Sequence, residues 1–159
     1  MRTRNKVYIG FLLLMVILSV VYMVNPSGTA SQHPAARIIG QVPYRIPSAS
    51  MAPTLLPGDF ILVDSFAYSK QAPQRREIIV FSYPVNPKMA FVKRVAGIPG
   101  DRIEVIGEHL FVNGEQQNEP YLHPFRQNRR GKKPYSTPVP EGKLFVLGDN
   151  RDHSADSRV

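Results

Sequence analysis

The sequence predicts a mainly β protein: antiparallel sheets with a small inserted β and loop region, preceded by one N-terminal transmembrane helix. Three observations predict it. Residues 7–24, "VYIGFLLLMVILSVVYMV", form an eighteen-residue run without a charge. Beyond residue 36, short β-branched and aromatic segments recur between turn residues, and none of ten or more residues keeps a helical period. Fifteen prolines and eleven glycines, with 43% apolar residues, mark a turn-rich chain rather than a helical bundle.

The apolar run would extend roughly 27 Å as a helix, close to the roughly 30 Å hydrocarbon core of a bilayer. Tyr8 and Tyr22 fall near its ends, where amphipathic rings favour the interface. Arg2, Arg4 and Lys6 precede it and favour a cytoplasmic N-terminus, with everything after residue 24 on the other side. A cleaved secretory signal is the competing reading, since Gly28 and Ala30 make a small-x-small site. The run exceeds the roughly 7–15 residues of a signal h-region, which favours an uncleaved anchor. Residues 1–6 then read as a cytoplasmic tail, 7–24 as the anchor, and 25–36, "NPSGTASQHPAA", as a linker. Residues 37–159 form the remaining domain.

Strand candidates follow in order: 59–68 "DFILVDSFAY", 77–83 "EIIVFSY", 90–98 "AFVKRVAGI", 101–107 "DRIEVIG", 109–115 "HLFVNGE" and 143–150 "KLFVLGDN". Asn113-Gly114 is a hairpin signal. Residues 116–141 are polar, with five prolines and the basic patch "RQNRRGKK" at 126–133. They read as a long excursion or a small subdomain inserted between two core strands, and the insertion as a whole spans about 107–141.

The net charge is +8, of which the N-terminal tail contributes +3. A basic surface fits nucleic acid or anionic lipid. Beyond a membrane span nucleic acid is excluded as a partner, leaving lipid headgroups; the 126–133 patch is either a solvated loop or a headgroup contact. The chain has no cysteine, so disulfides, thiol catalysis and Cys-based metal sites are excluded. His33, His109, His123 and His153 form no H-E-x-x-H or H-x-x-x-H pair, and there is no G-x-S-x-G elbow. No metal and no organic cofactor is expected.

Three stretches carry chemistry. "IPSASMAPTLLPGD" (46–59) offers Ser50, a nucleophile only if a base takes its proton. "FVKRVAGIPGD" (91–101) puts Lys93 in an apolar strand, on the same face as Phe91 and Val95 by alternation. Burial there would lower its pKa and make it a base; exposure would make it an ordinary surface lysine. "GDNRDHSADSR" (148–158) crowds Asp149, Arg151, Asp152, Asp156 and Arg158 with Ser154 and Ser157, as a braced site or as a polar loop with incidental ion pairs.

Together, in this order after an anchor, the three stretches resemble the characteristic boxes of bacterial type I signal peptidases, the Ser-Lys dyad leader peptidases. The resemblance implies an antiparallel β catalytic core with a second β region inserted between the lysine box and the last box. It implies Ser50 as nucleophile, Lys93 as general base, Ser48 as oxyanion donor beside the Ser50 N–H, and Ser154 as a hydrogen-bond partner that orients the lysine. Arg94, Asp149, Asp156 and Arg158 take supporting positions, and Ile46, Pro47, Met51, Leu55 and Val92 line pockets for small residues. The implied activity is a serine endopeptidase of the bacterial inner membrane, its catalytic domain on the periplasmic side. It would cut signal peptides from exported preproteins after an Ala-x-Ala-like site.

Three positions depart from the family pattern. Ala49 stands where glycine is common, and His153 where asparagine is usual. Beyond Val159 the resemblance implies a further aromatic-glycine stretch, so the sequence is either truncated or naturally short. Two rivals stay open at this point: a conjugative-transfer peptidase acting on a pilin-type substrate, and an inactive membrane-tethered β domain that only binds a partner. A self-cleaving repressor shares the dyad but needs a DNA-binding helix-turn-helix where this chain has its apolar run.

Overall fold

The computed structural model describes residues 2–25, 34–107, 109–122 and 134–159. The Gly28–Ala30 site, His33, His123, the basic patch at 126–133 and most of the linker lie outside the described residues. The chain divides into two compact units: Met1–Tyr44 with Ile61–Ala72, and Arg45–Phe60 with Pro73–Val159.

In the first unit, helix α1 (Arg2–Val24) exposes apolar side chains all round, among them Val7, Phe11, Leu14 and Val20. Lys6–Val24 is long and apolar enough to cross a membrane. A short helix α2 (Pro34–Ile38) begins in the last residues of the predicted 25–36 linker and runs past it. Arg37 of α2 lies over the Tyr22 ring of α1, 4.9 Å from its centroid. Strands β1 (Gln41–Arg45) and β2 (Phe60–Asp64) pair with each other. Strand β2 is shorter than the 59–68 segment predicted, because Phe66 begins a turn whose N–H bonds the Asp64 carboxylate.

The second unit is built from two antiparallel sheets. The first has the order β3-β4-β9, from β3 (Ile78–Tyr83), β4 (Asn86–Gly97) and β9 (Phe145–Leu147). The second has the order β7-β6-β5-β8, from β5 (Arg102–Ile106), β6 (His109–Val112), β7 (Glu115–Gln116) and β8 (Tyr135–Pro138). Strand β9 is buried along its whole length, and its residues face two ways. Phe145 and Leu147 pack with Ile103, Val105, Leu110, Val112 and Val139, while Val146 packs with Ile79 and Val95. A short, wholly apolar strand is what burial on both faces requires.

Several predicted features form as read. Asn113 and Gly114, at φ 55° and 83°, make the tight turn from β6 to β7. Strand β4 extends further toward its N-terminus than predicted and carries Lys93 opposite Ile79 of β3. Strand β8 was not foreseen. It lies inside the polar excursion and pairs with β5 through its backbone, anchored by Tyr135 against the core.

Candidate active site

The loop joining β1 to β2 closes on itself. Ile46 N–H bonds the Asp59 carbonyl at 2.8 Å, and Gly58 N–H bonds the Ile46 carbonyl at 2.8 Å. The Asp59 carboxylate accepts the Leu56 N–H at 2.8 Å. The Pro-Gly-Asp turn therefore fixes the base of the loop. At its tip Ser48 is extended, and Ala49–Met51 form one 3₁₀ turn that drives Met51 into the interior, 1% exposed. The turn leaves Ser50 half-buried with its hydroxyl free of the backbone ladder.

The segment after β9 grips this turn. Asn150 N–H bonds the Ser50 carbonyl at 3.0 Å, and its side-chain amide bonds the Ala49 carbonyl at 3.0 Å. Thr54 donates to the Asp149 carboxylate at 2.5 Å. Gly148 makes the close approach possible, since a methyl there would lie 2.5 Å from the Ser50 carbonyl oxygen.

Lys93 is 4% exposed, so it is not an ordinary surface lysine. Its Nζ and Ser50 Oγ share a hydrogen bond of 2.9 Å, and Nζ donates to the Val92 carbonyl at 2.9 Å. The Phe91 ring lies 5.1 Å from the amine and stacks on Tyr83. Burial pushes the Lys93 amine below the ordinary lysine range; the Asp156 carboxylate pulls the other way and has the smaller effect.

Arg94, next in the strand, engages Asp149 through Nε and Nη2, at 2.9 and 2.7 Å. Its Nη1 donates to the carbonyl of Arg76, a residue held at φ 76°. Asp156 and Arg158 form a second fork, and the Asp156 carboxylate also takes the Gly148 N–H at 3.0 Å. Burial alone would raise the Asp156 carboxyl, but Arg158 and the Gly148 N–H hold it below the usual carboxylate range. These are not incidental surface pairs: Asp149, Arg151 and Asp156 are all buried.

Of the remaining expected positions, Ser48 Oγ lies 3.4 Å from Ser50 Oγ. Ile46 and Met51 are buried, Leu55 and Val92 half-buried, and Pro47 exposed. The expected bond from Ser154 to the lysine amine is not made. Ser154 Oγ is buried against Gly148, near the Asp156 carboxylate, and the amine bonds the Val92 carbonyl instead. Among the described residues no group of three or more His, Asp or Glu could hold a metal ion. Sequence reasoning assigned no role to Thr54, Glu119, Tyr121, Asn150 or Arg151. Asn150 was open to inference, because an amide within a box of charged side chains suits a carbonyl partner. Glu119 and Tyr121, in a polar stretch, gave no such signal.

A hydroxyl hydrogen-bonded to a buried amine of lowered basicity is the arrangement by which a serine can be activated for acyl transfer. The family model described as "Signal peptidase, peptidase S26" matches residues 7–159, and the chain belongs to that family of signal-peptide-cleaving enzymes. Signal peptidase IB of Staphylococcus aureus is 37% identical over 131 residues, covering 74% of this chain and 68% of the relative. Signal peptidase I of Pseudomonas fluorescens is 36% identical, covering 73% of this chain and 54% of the relative. A crystal structure of signal peptidase I from Enterococcus faecalis superposes with a TM-score of 0.49 at 36% identity, over 55% of this chain and 86% of the other. The conjugative-transfer and binding-domain readings are not favoured by these relatives. The N-terminal apolar helix fits a membrane-anchored enzyme.

Proposed function

We propose that this serine endopeptidase cleaves signal peptides with Ser50 as nucleophile and Lys93 as general base. The observation that carries the assignment is the 2.9 Å bond between Ser50 Oγ and the buried Lys93 Nζ. A neutral amine accepts the Ser50 proton as Oγ bonds to the scissile carbonyl carbon, and an ammonium returns that proton to the leaving amine. Water, deprotonated by the same amine, then hydrolyses the acyl-enzyme and restores Ser50. The Ser50 N–H and the Ser48 hydroxyl stabilise the oxyanion, a donor typically worth about 10²–10³ in rate. When Ser50 Oγ turns to the substrate the amine loses a bond, and the buried Ser154 hydroxyl is the candidate to replace it.

Signal peptidase substrates are secreted preproteins. Here the cut follows a small-x-small site, with buried Ile46 and Met51 as the floor of the pockets and Pro47, Leu55 and Val92 nearer their rim. The anchor at 7–24 spans the bacterial inner membrane with residues 1–6 in the cytoplasm and the catalytic part outside it. Three basic residues before the span support that orientation. Membrane lipid is the expected neighbour of the basic surface; nucleic acid, metal and cofactor are not part of the scheme.

The test is cleavage of a preprotein in detergent by wild type, Ser50→Ala and Lys93→Ala. The assignment requires both variants to be inactive while folded. Cleavage by either at the wild-type rate removes it.

A further inference from the structure

Two residues that the reaction does not use, Glu119 and Tyr121, reach two arginines of the site from the segment after β7. Glu119 Oε1 accepts from Arg151 Nη2 and from the Tyr121 hydroxyl, the latter at 2.8 Å. The Tyr121 ring lies under the Arg94 guanidinium, 3.9 Å from Cζ to the ring centroid. Arg151 and Glu119 side chains are 1% and 6% exposed. Burial pushes the Tyr121 phenol up, and the Glu119 carboxylate adds to the effect, so the hydroxyl stays a donor.

A buried ion pair is a poor stabilising device, because desolvation offsets the attraction; its better attested use is to select one arrangement. Arg151 is a demanding case. Its Nε donates to the Gly148 carbonyl at 3.0 Å, and Nη1 has no partner among the described residues. Glu119 is therefore the anion that compensates a buried guanidinium with incomplete bonding. Arg151 in turn determines the 148–151 turn, from the Gly148 carbonyl at one end to its own carbonyl, which Arg158 Nη2 holds at 2.7 Å. Asn150 stands inside that turn and holds the Ser50 and Ala49 carbonyls. A second path runs from Tyr121 through Arg94 and Asp149 to Thr54, again on the Ser50 loop.

We infer that Glu119 and Tyr121 are positioning residues: a clasp that sets the Asn150 and Asp149 grips and so the distance from Ser50 to Lys93. The inference rests on the Ser50–Lys93 reading above. Neither residue belongs to the proposed pockets, so the effect falls on the chemical step rather than on binding.

The experiment measures kcat and KM of the full chain in detergent on a preprotein with a small-x-small site. Glu119→Gln, which keeps an acceptor but removes the charge, is expected to lower kcat about tenfold with KM within about twofold, the scale of a small displacement of reacting groups. Tyr121→Phe removes the hydroxyl but keeps the ring, and is expected to lose only a few-fold. The decisive readout is the double variant Glu119→Gln with Asn150→Ala. If both act through the same grip, the double variant falls no further than the worse single one. An unchanged kcat in Glu119→Gln, a change confined to KM, or effects that multiply with Asn150→Ala would each overturn the inference. If Glu119→Gln does not fold, Tyr121→Phe with Asn150→Ala is read by the same criteria. Ser50→Ala separates the two claims: residual wild-type activity there removes the underlying reading, whereas an inactive Ser50→Ala beside a wild-type Glu119→Gln removes only the clasp.

Discussion

The Asp149 carboxylate takes both arms of the Arg94 guanidinium, at 2.9 Å from Nε and 2.7 Å from Nη2, with side chains 1% and 12% exposed. Arg94 is the neighbour of Lys93 in β4, and Asp149 is bonded to the Ser50 loop through Thr54. The pair therefore fastens the strand that carries Lys93 to the loop that carries Ser50.

Removing one partner of this pair strands the other. Asp149→Ala is expected to cost about 3–5 kcal/mol, the usual penalty for leaving a buried charge unpaired, and to abolish turnover. Arg94→Lys keeps the charge but loses the fork, and about 1–2 kcal/mol is expected. Thermal unfolding of the full chain in detergent checks both. Wild-type stability in Asp149→Ala would mean that Thr54 and Arg94 find other partners.

The pH dependence of kcat/KM follows from the two influences on Lys93. Burial lowers its pKa and the Asp156 carboxylate raises it, so the amine is protonated, and activity lost, as pH falls through a value below the ordinary lysine range. Asp156→Asn keeps an acceptor for the Gly148 N–H but removes the charge. The Lys93 pKa then falls further and the acid limb of the profile moves to lower pH. A limb that stays in place while the variant remains active would show that a different group titrates.

Alternation placed Lys93 on the face of Phe91 and Val95 but left its burial open, because a lone lysine in a strand can as well face solvent; its 4% exposure comes from the fold. The Asn113-Gly114 turn was legible because few residue pairs accept positive φ twice. Strand β8 was not: four residues with one aromatic, Tyr135, show no period in a proline-rich polar stretch, and their pairing with β5 is set by backbone bonds. The Ser154 contact escaped for another reason. Where a short hydroxyl points is a rotamer choice made by its neighbours, here Gly148, and not by its place in a motif. Glu119 and Tyr121 lie on the same side of that limit, since their partners are 32 and 27 positions away in the chain.

Gly148 offers a test of how tightly the site is packed. A Cβ there would be 2.5 Å from the Ser50 carbonyl oxygen and from Ser154 Cβ. The backbone on one side cannot yield without moving Ser50. Gly148→Ala is expected to destabilise by about 1–3 kcal/mol through overpacking and to lower kcat about a hundredfold. The comparison belongs well below the unfolding temperature, where the loss of rate is not a loss of folded protein. A folded variant with wild-type kcat would show that the loop can move away from β9 at no cost to the reaction.

Acid stability depends on a carboxylate that bonds none of the Ser50–Lys93 site residues, Asp101 in the turn from β4 to β5. It pairs with Arg75 through Nε at 2.7 Å and through Nη2, and accepts the Ile98 N–H at 2.9 Å and the Asn113 side-chain amide at 3.0 Å. The Arg75 bonds, above all, hold its carboxyl at about 2, although burial opposes them. Its folded pKa lies below its unfolded one, roughly 3.9. The stability it contributes is therefore present in full above the unfolded pKa and is lost as pH falls through that value toward about 2. Asp101→Asn preserves the shape without the charge, so it should melt below wild type at pH 7. The gap should narrow steadily as pH is lowered from 5 to 3. Thermal unfolding of both proteins across that range is the check, and a gap independent of pH would mean that the hydrogen bonds, rather than the charge, carry the contribution of Asp101.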